Sequence, residues 1–501
     1  MVSAADLHTA LKRHWGYDEF RPLQQQIVES LLEGHDAAVV MPTGGGKSLC
    51  YQLPAVIGGR TAVVVSPLIA LMSDQVEQLR VAGIPAAALN TATPPGERRD
   101  IMRHAERGDY RLLYLSPERL SMQATTDWLS HVPVSLYVID EAHCISEWGH
   151  EFRPEYRQLG KLRELFPNVP IAAFTASATK RVRHDILHQL QLREPRTFIR
   201  SFHRPNLRYL VRQCDAKSQP RLLLATIAHH AEGSVIIYAP TIARVQETVD
   251  FLSSRGIPAI AYHGQMNGDL RSRNQELWMT DEVRVLVGTI AFGLGINKPS
   301  VRAVIHLSLP KSVEQYYQEA GRAGRDGLES DCLLLWRKAD AGLLAHFVTA
   351  IDGREERERA WQRYHTIREF VESGKCRHRQ ICLHFGETPK WENCGMCDVC
   401  SPEPEWMSAH PSHVSIAKTS APVKRQAVPS ALLDHMRAAR RDLARARNIP
   451  AFIILHDKSL EDLCLKRPAT RDELLAVHGI GESKANLYGD ELLAALRAFE
   501  Q

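Results

Sequence analysis

Ala37-Ala38-Val39-Val40-Met41-Pro42-Thr43-Gly44-Gly45-Gly46-Lys47-Ser48-Leu49-Cys50-Tyr51 decides the fold of this chain. The unbroken apolar run Ala37 to Met41 reads as a buried strand and the stretch after Ser48 as a helix, so the glycines occupy a strand-to-helix turn. Consecutive glycines let backbone N–H groups turn inward around phosphate, which is the geometry of a P-loop. Lys47 then reaches the outer phosphate oxygens, and the Ser48 hydroxyl can ligate magnesium. Thr43, Gly44, Gly45, Gly46, Lys47 and Ser48 are therefore the candidate ligands of a nucleotide and its Mg2+. Met41 stands where the general pattern has glycine, a departure that leaves the cradle intact.

Outward from this turn, short apolar runs alternate with helical stretches, the pattern of parallel α/β domains. Strands are expected at Ala37–Met41, Thr61–Ser66, Leu112–Leu115, Leu136–Ile139 and Ile171–Phe174. A second series is expected at Val235–Tyr238, Ala259–Tyr262, Arg284–Val287, Ala303–Leu307 and Cys332–Trp336. Two α/β lobes follow, 1–202 and 203–340, joined near the polar, proline-containing Phe202-His203-Arg204-Pro205-Asn206. A helical, cysteine-rich module is read at 341–402, in which the helix-friendly Arg354–Glu372 runs into the cysteine cluster. A Pro, Ser and Ala-rich linker is read at 403–428, and a compact helical domain at 429–501.

The chain has 501 residues and a net charge of only +4, so any basic footprint must be local. Such a footprint exists: Lys418 to Arg447 holds eight Lys and Arg against two Asp and Glu. The N-terminus lacks the apolar core of a signal peptide and no run suggests a membrane span, so a cytoplasmic protein with no membrane partner is expected, nucleoid-associated if bacterial. Five of the ten cysteines fall between Cys376 and Cys400, which reads as a metal site in place of a disulfide framework. Cys394, Cys397 and Cys400 recur at three-residue spacing, and a fourth thiolate would complete a closed tetrahedral structural zinc site. Cys376, Cys382, His378 and His384 compete for that fourth place.

The strand ending at Ile139 delivers Asp140-Glu141-Ala142-His143 at its C-terminal end, where open α/β sheets bind ligands. Asp140 would hold magnesium, Glu141 would position and deprotonate the attacking water, and His143 is a candidate for coupling nucleotide state to the second lobe.

These residues resemble a superfamily 2 helicase, and in detail the RecQ family, whose motifs run in order from Tyr17 to Gly327. Gly16-Tyr17-Asp18-Glu19-Phe20-Arg21-Pro22-Leu23-Gln24 is similar to the family's adenine-recognition segment; the resemblance implies that Tyr17 stacks on the base, Gln24 bonds its edge and Arg21 supports the pocket. Gly288 to Pro299 and Gln315 to Gly327 resemble the family's inter-lobe and arginine motifs, which makes Arg325 the finger on the γ-phosphate and Arg322 its neighbour. The stretch Cys144 to Tyr156 resembles the aromatic-rich loop of RecQ enzymes, so Trp148, His150, Phe152 and Arg153 are expected to grip DNA by stacking and phosphate contact. The resemblance favours Cys376 as the fourth zinc ligand. Residues 429–501 resemble an HRDC domain, in which Gly479, Gly481 and Lys484 could face a phosphate.

The resemblance thus implies two tandem RecA-like lobes, a helical zinc module and an all-α HRDC domain. It implies an ATP- and Mg2+-dependent helicase moving 3′ to 5′ on single-stranded DNA and unwinding tailed duplexes, in repair and recombination. Protein partners stay open, a single-strand-binding protein being the class that the family suggests. The family's winged-helix domain is expected to be missing between the zinc and HRDC modules. An alternative therefore keeps a DNA-stimulated ATPase that translocates, remodels or anneals strands with weak unwinding.

Overall fold

The computed structural model describes residues 3–91, 93–149, 151–289, 298–408, 430–447 and 451–500. His150 and most of the inter-lobe motif, 290–297, lie outside them. The chain divides into two compact units: Met1–Arg200 together with Gln426–Gln501, and Ser201–Arg425.

The first unit is built on seven strands: β1 (Ala37–Val40), β2 (Thr61–Val65), β3 (Ala86–Leu89), β4 (Leu112–Leu115), β5 (Val134–Ile139), β6 (Ile171–Thr175) and β7 (Arg196–Ile199). They pair in the order β3-β4-β2-β5-β6-β1-β7, and every described pairing is parallel. Parallel strands must be buried on both faces, which is why these segments are continuous apolar runs. One core cluster joins Val39, Met41, Tyr51, Val64, Tyr114 and Phe174. Met41 is fully buried there, so the residue standing in for the P-loop glycine is a core residue that the apolar layer demands.

The start of β1 is pinned by Asp36, whose buried carboxylate accepts hydrogen bonds from Ile171 N–H at 2.8 Å and Arg193 N–H at 2.7 Å and pairs with Arg163. A buried carboxylate is tolerated only with this degree of satisfaction. It fixes the register from which the phosphate turn departs. Helices α1 (Ala4–Trp15), α2 (Gln24–Leu32) and α3 (Lys47–Gly58) pack beside this end of the sheet through Leu7, Leu11, Val28, Leu49 and Leu53. The C-terminal helices Ser430–Arg447, Asp457–Lys466 and Glu482–Glu500 belong to the same unit.

The second unit holds six parallel strands, β8 (Leu207–Gln213), β9 (Ser234–Tyr238), β10 (Ala259–Tyr262), β11 (Val285–Gly288), β12 (Val301–His306) and β13 (Ser330–Trp336), in the order β10-β11-β9-β12-β13-β8. The helix Arg354–Glu372 leads into the cysteine module, whose Phe385 stacks on Phe202 at 4.4 Å. Two parallel-sheet lobes, a helical cysteine module and a helical C-terminal domain are thus all present. No described helix is long and apolar enough to cross a membrane.

Candidate active site

The phosphate turn begins where β1 ends. Gly44 and Gly46 have φ of 77° and 82°, a left-handed conformation that a side chain would strain. A Cβ on Gly46 would also lie 2.3 Å from Gln24 Nε2. Helix α3 starts at Lys47 with no side-chain cap, so its first N–H groups are free for an anion and its dipole favours one. Gln24 Nε2 donates to the Gly46 carbonyl at 3.0 Å, and Arg21 donates to that of Gly44. The adenine-recognition segment is therefore fastened to the phosphate turn, with Thr43 in the turn and Ser48 in the first turn of α3.

Asp140 and Glu141 follow β5 on the same edge. Asp140 N–H donates to Val65 O, and the Asp140 carboxylate is buried, which pushes its pKa up to about 6, with Glu141 adding to the rise and Lys47 opposing it. Glu141 adopts φ 47°, unusual for a residue with a side chain, and its carboxylate sits 3.9 Å from Lys47 Nζ and 3.3 Å from His143 Nδ1. Lys47, Asp140 and Glu141 are thus brought together as the sequence implied.

His143 links this cluster to two further segments. Its Nδ1 is 2.9 Å from Thr175 Oγ1 at the end of β6, and its Nε2 is 3.7 Å from Glu151 of the aromatic loop. Burial pushes the imidazole pKa down, but Cys144, Glu141 and Glu151 outweigh it and hold it well above its ordinary value.

Among the aromatic-loop residues, Trp148 lies beneath the Arg181 guanidinium, 3.0 Å from its ring centroid, and Phe152 is exposed. Arg153 donates through Nη1 to the Pro67 carbonyl at 3.0 Å, so it braces the Ser66-Pro67-Leu68 segment. Tyr156 is fully buried, and its hydroxyl donates to the Asp140 carbonyl at 3.0 Å. Gly149 is required because a Cβ there would meet the His143 carbonyl at 2.8 Å. The loop is folded directly against the acidic pair. Tyr156→Phe removes one buried hydrogen bond and is expected to lower stability by about 1 kcal/mol, read as a drop in the thermal midpoint, with a fall in ATP turnover as the Asp140 backbone loosens.

Arg322 and Arg325 lie in the second unit. Arg322 is buried, and burial raises the Tyr238 pKa, with the Arg322 and Arg325 guanidinium groups opposing the rise. Their turn is fixed by Gly324 at φ 55°, whose carbonyl accepts from Asn206 Nδ2 at 2.9 Å and Arg204 Nη2 at 3.0 Å, and by an Asp326–Arg302 ion pair at 2.5 Å. Arg204 and Asn206, read from the sequence only as a connection, are the clamp on this turn.

Cys376, Cys394, Cys397 and Cys400 converge with sulfur atoms all within 4.8 Å of one another. Cys394 hydrogen bonding holds the Cys397 thiol down to about 5 while Cys394 itself is pushed up, the behaviour of a set sharing protons that a dication would displace. The competitors sit elsewhere. Cys382 is buried, its pKa pushed up to about 12 by burial, His378 bonds the Leu207 carbonyl at 2.9 Å, and His384 pairs with Glu314 at 2.7 Å. Four thiols in this arrangement fit zinc.

Lys484 stands half-buried in the first turn of the closing helix, where desolvation pulls its pKa down to about 8. The backbone N–H of Gly479, in the loop before it, donates to the Gly16 carbonyl at 2.9 Å. That amide is committed to the first lobe.

Family models match for DEAD/DEAH box helicase over residues 21–186, helicase conserved C-terminal domain over 218–327, RecQ zinc-binding over 338–401 and HRDC domain over 430–496. The chain is 41% identical over 392 residues to ATP-dependent DNA helicase RecQ of Pasteurella multocida, covering 78% of this chain and 61% of that protein. It likewise spans 64% of the Haemophilus influenzae protein of the same name. The fold is shared with the helicase Lhr of Mycobacterium smegmatis, solved with ssDNA and AMP-PNP, at a TM-score of 0.52 and 18% identity over 71% of this chain and 56% of that one. ATP-dependent DNA helicase RecQ of Bacillus subtilis aligns at 30% identity across 98% of this chain and 99% of its own length, and the chain belongs to the RecQ family.

Proposed function

We propose that this chain is an ATP- and Mg2+-dependent DNA helicase that translocates 3′ to 5′ on single-stranded DNA and unwinds tailed duplexes in repair and recombination. The observation that carries the reading is the contact of the aromatic loop with the acidic pair: Tyr156 on the Asp140 backbone and Glu151 beside His143, which itself faces Glu141. Bases stacking on Trp148 and Phe152 would be felt at the residues that orient water and metal.

In this reading the free N–H groups at the start of α3 and Lys47 hold the phosphates, and Ser48 and Asp140 are the residues that would hold Mg2+, which when bound neutralises charge on the transferring phosphoryl group. Glu141 orients the attacking water and takes its proton, and Arg322 and Arg325 supply guanidinium charge. Cys376, Cys394, Cys397 and Cys400 hold a structural zinc.

Unwinding of 3′-tailed, 5′-tailed and blunt duplexes, run beside ATP turnover on single-stranded DNA, tests the direction. Strand separation is expected on the 3′-tailed duplex alone. Turnover with every duplex left paired would replace helicase by translocase.

A further inference from the structure

We infer that the C-terminal helical domain forms part of the nucleotide-base site, with His478 as the positioning residue that fixes the Tyr17 ring. The inference rests on the reading of Tyr17 as the ring that stacks on the base. It goes beyond that reading by assigning a wall of the pocket to a domain far away in sequence.

The docking is specific down to backbone atoms. Gly479 N–H donates to Gly16 O at 2.9 Å, Ser483 Oγ donates to Val81 O at 2.6 Å, and Arg13 pairs with Glu482 at 3.2 Å. Two glycines, one from each side, allow the approach. A Cβ on Gly16 would lie 2.4 Å from Ile480 N, and a Cβ on Gly481 would lie 2.4 Å from Arg13 O. The seam ends at the ring itself: His478 and Tyr17 have centroids 5.1 Å apart at 35°. His478 is held in turn by its N–H donating to Asp462 Oδ2 at 2.7 Å.

Tyr17 stands between two sets of contacts. Gly16 and the end of α1 meet the C-terminal loop, whereas Arg21 and Gln24 meet the phosphate turn at Gly44 and Gly46. At 5.1 Å the two rings are in direct contact, which leaves no room for a base between them. His478 therefore backs the ring from the side of the C-terminal domain, and the base takes the side toward the phosphates. Fixing the ring before the base arrives removes an ordering cost from binding. The same docking commits the Gly479 amide, so this loop is not available to a DNA phosphate while it is seated.

The test is ATP binding to the full chain without DNA, by displacement of a fluorescent N-methylanthraniloyl-ATP, with inorganic tripolyphosphate as the competitor that has no base. Gly481→Ala acts at the seam, since Gly481 is outside the left-handed region and the atoms nearest its added Cβ are the Arg13 and His14 backbone of the first lobe. His478→Ala removes the ring contact without a clash. Each is expected to weaken ATP by about 3- to 10-fold, the range of one aromatic contact, with tripolyphosphate unchanged. KM for ATP should rise more than kcat falls, and His478→Phe should restore most of the affinity. Unchanged or tighter ATP binding in both variants, or an equal loss for tripolyphosphate, overturns the inference. Tyr17→Ala separates the two readings: if it weakens ATP and His478→Ala does not, only the C-terminal wall is wrong, and if Tyr17→Ala leaves ATP binding intact, the base site itself is misplaced.

Discussion

Glu141→Gln is expected to lower ATP turnover on single-stranded DNA by about two to four orders of magnitude, the range of a lost general base, while ATP still binds. The substitution keeps the shape of the side chain and removes its charge. That charge faces two cations or potential cations, Lys47 Nζ at 3.9 Å and His143 Nδ1 at 3.3 Å, and the backbone at φ 47° holds it toward them. Losing the carboxylate therefore takes away the proton acceptor and releases Lys47 toward the phosphates, so ATP affinity should hold or improve. Lys47→Ala is the contrast, because it removes the phosphate contact itself and should weaken binding as well as turnover. Single-turnover hydrolysis beside equilibrium ATP binding resolves the two. A Glu141→Gln protein that turns over ATP at the native rate would falsify the assignment of the base, and another group would have to accept the proton.

The effect should spread beyond ATP. The acidic pair shares its neighbours with the aromatic loop, through Tyr156 on Asp140 and Glu151 near His143. A chain that binds ATP without hydrolysing it should stay locked to single-stranded DNA, and unwinding should vanish together with turnover.

Much of this site was legible in the sequence because local backbone chemistry dictates it. Three glycines before Lys47, and a strand ending in Asp140-Glu141, constrain their own geometry whatever the rest of the chain does. The strands read from apolar runs appear within a few residues of their expected bounds, since parallel strands buried on both faces must be apolar throughout. Three were not read. Ala86–Leu89 is three alanines and a leucine, with none of the β-branched residues that mark a strand. Arg196–Ile199 is an edge strand, largely exposed, and Leu207–Gln213 carries Arg208 and Arg212 in what reads as a polar connection. The closing helix, Glu482–Glu500, runs through Gly489, a residue that weakens a helical pattern in sequence yet is accommodated against Leu474. Long-range clamps were illegible for a different reason: Arg153 on Pro67, Asn206 on Gly324 and Gly479 on Gly16 are contacts between segments with no shared period or motif.

Cys397→Ser is expected to abolish zinc binding and, with it, the folded state of the cysteine module. The four sulfurs come from the start of one helix and from a loop with little apolar content, so the metal supplies what a core cannot. Binding free energies in small zinc modules are about 10–16 kcal/mol, comparable to the whole stability of a domain. The loss would not stay local. Tyr209 N–H donates to Met396 O at 3.3 Å and Asp398 N–H donates to Tyr209 O at 3.0 Å, which stitches the zinc loop onto β8. Asp398 is in turn clamped by Arg377 at 3.0 Å and by Arg212 at 3.4 Å, both within the same unit. Releasing the loop therefore takes the Asp398 carboxylate away from the buried Arg377 guanidinium and frees one edge of the second sheet, a combination that favours aggregation. Metal content by atomic emission should fall from one zinc per chain to near zero, the module should become protease-sensitive, and the thermal midpoint should drop sharply. Cys382→Ser is the control on the ligand set: its thiol is buried beside Glu387 and is not one of the four converging sulfurs, so zinc content should be unchanged. Zinc lost on Cys382→Ser and kept on Cys397→Ser would mean that the thiols gather differently around the metal, and the stitching of the loop to β8 would have to be redrawn with them.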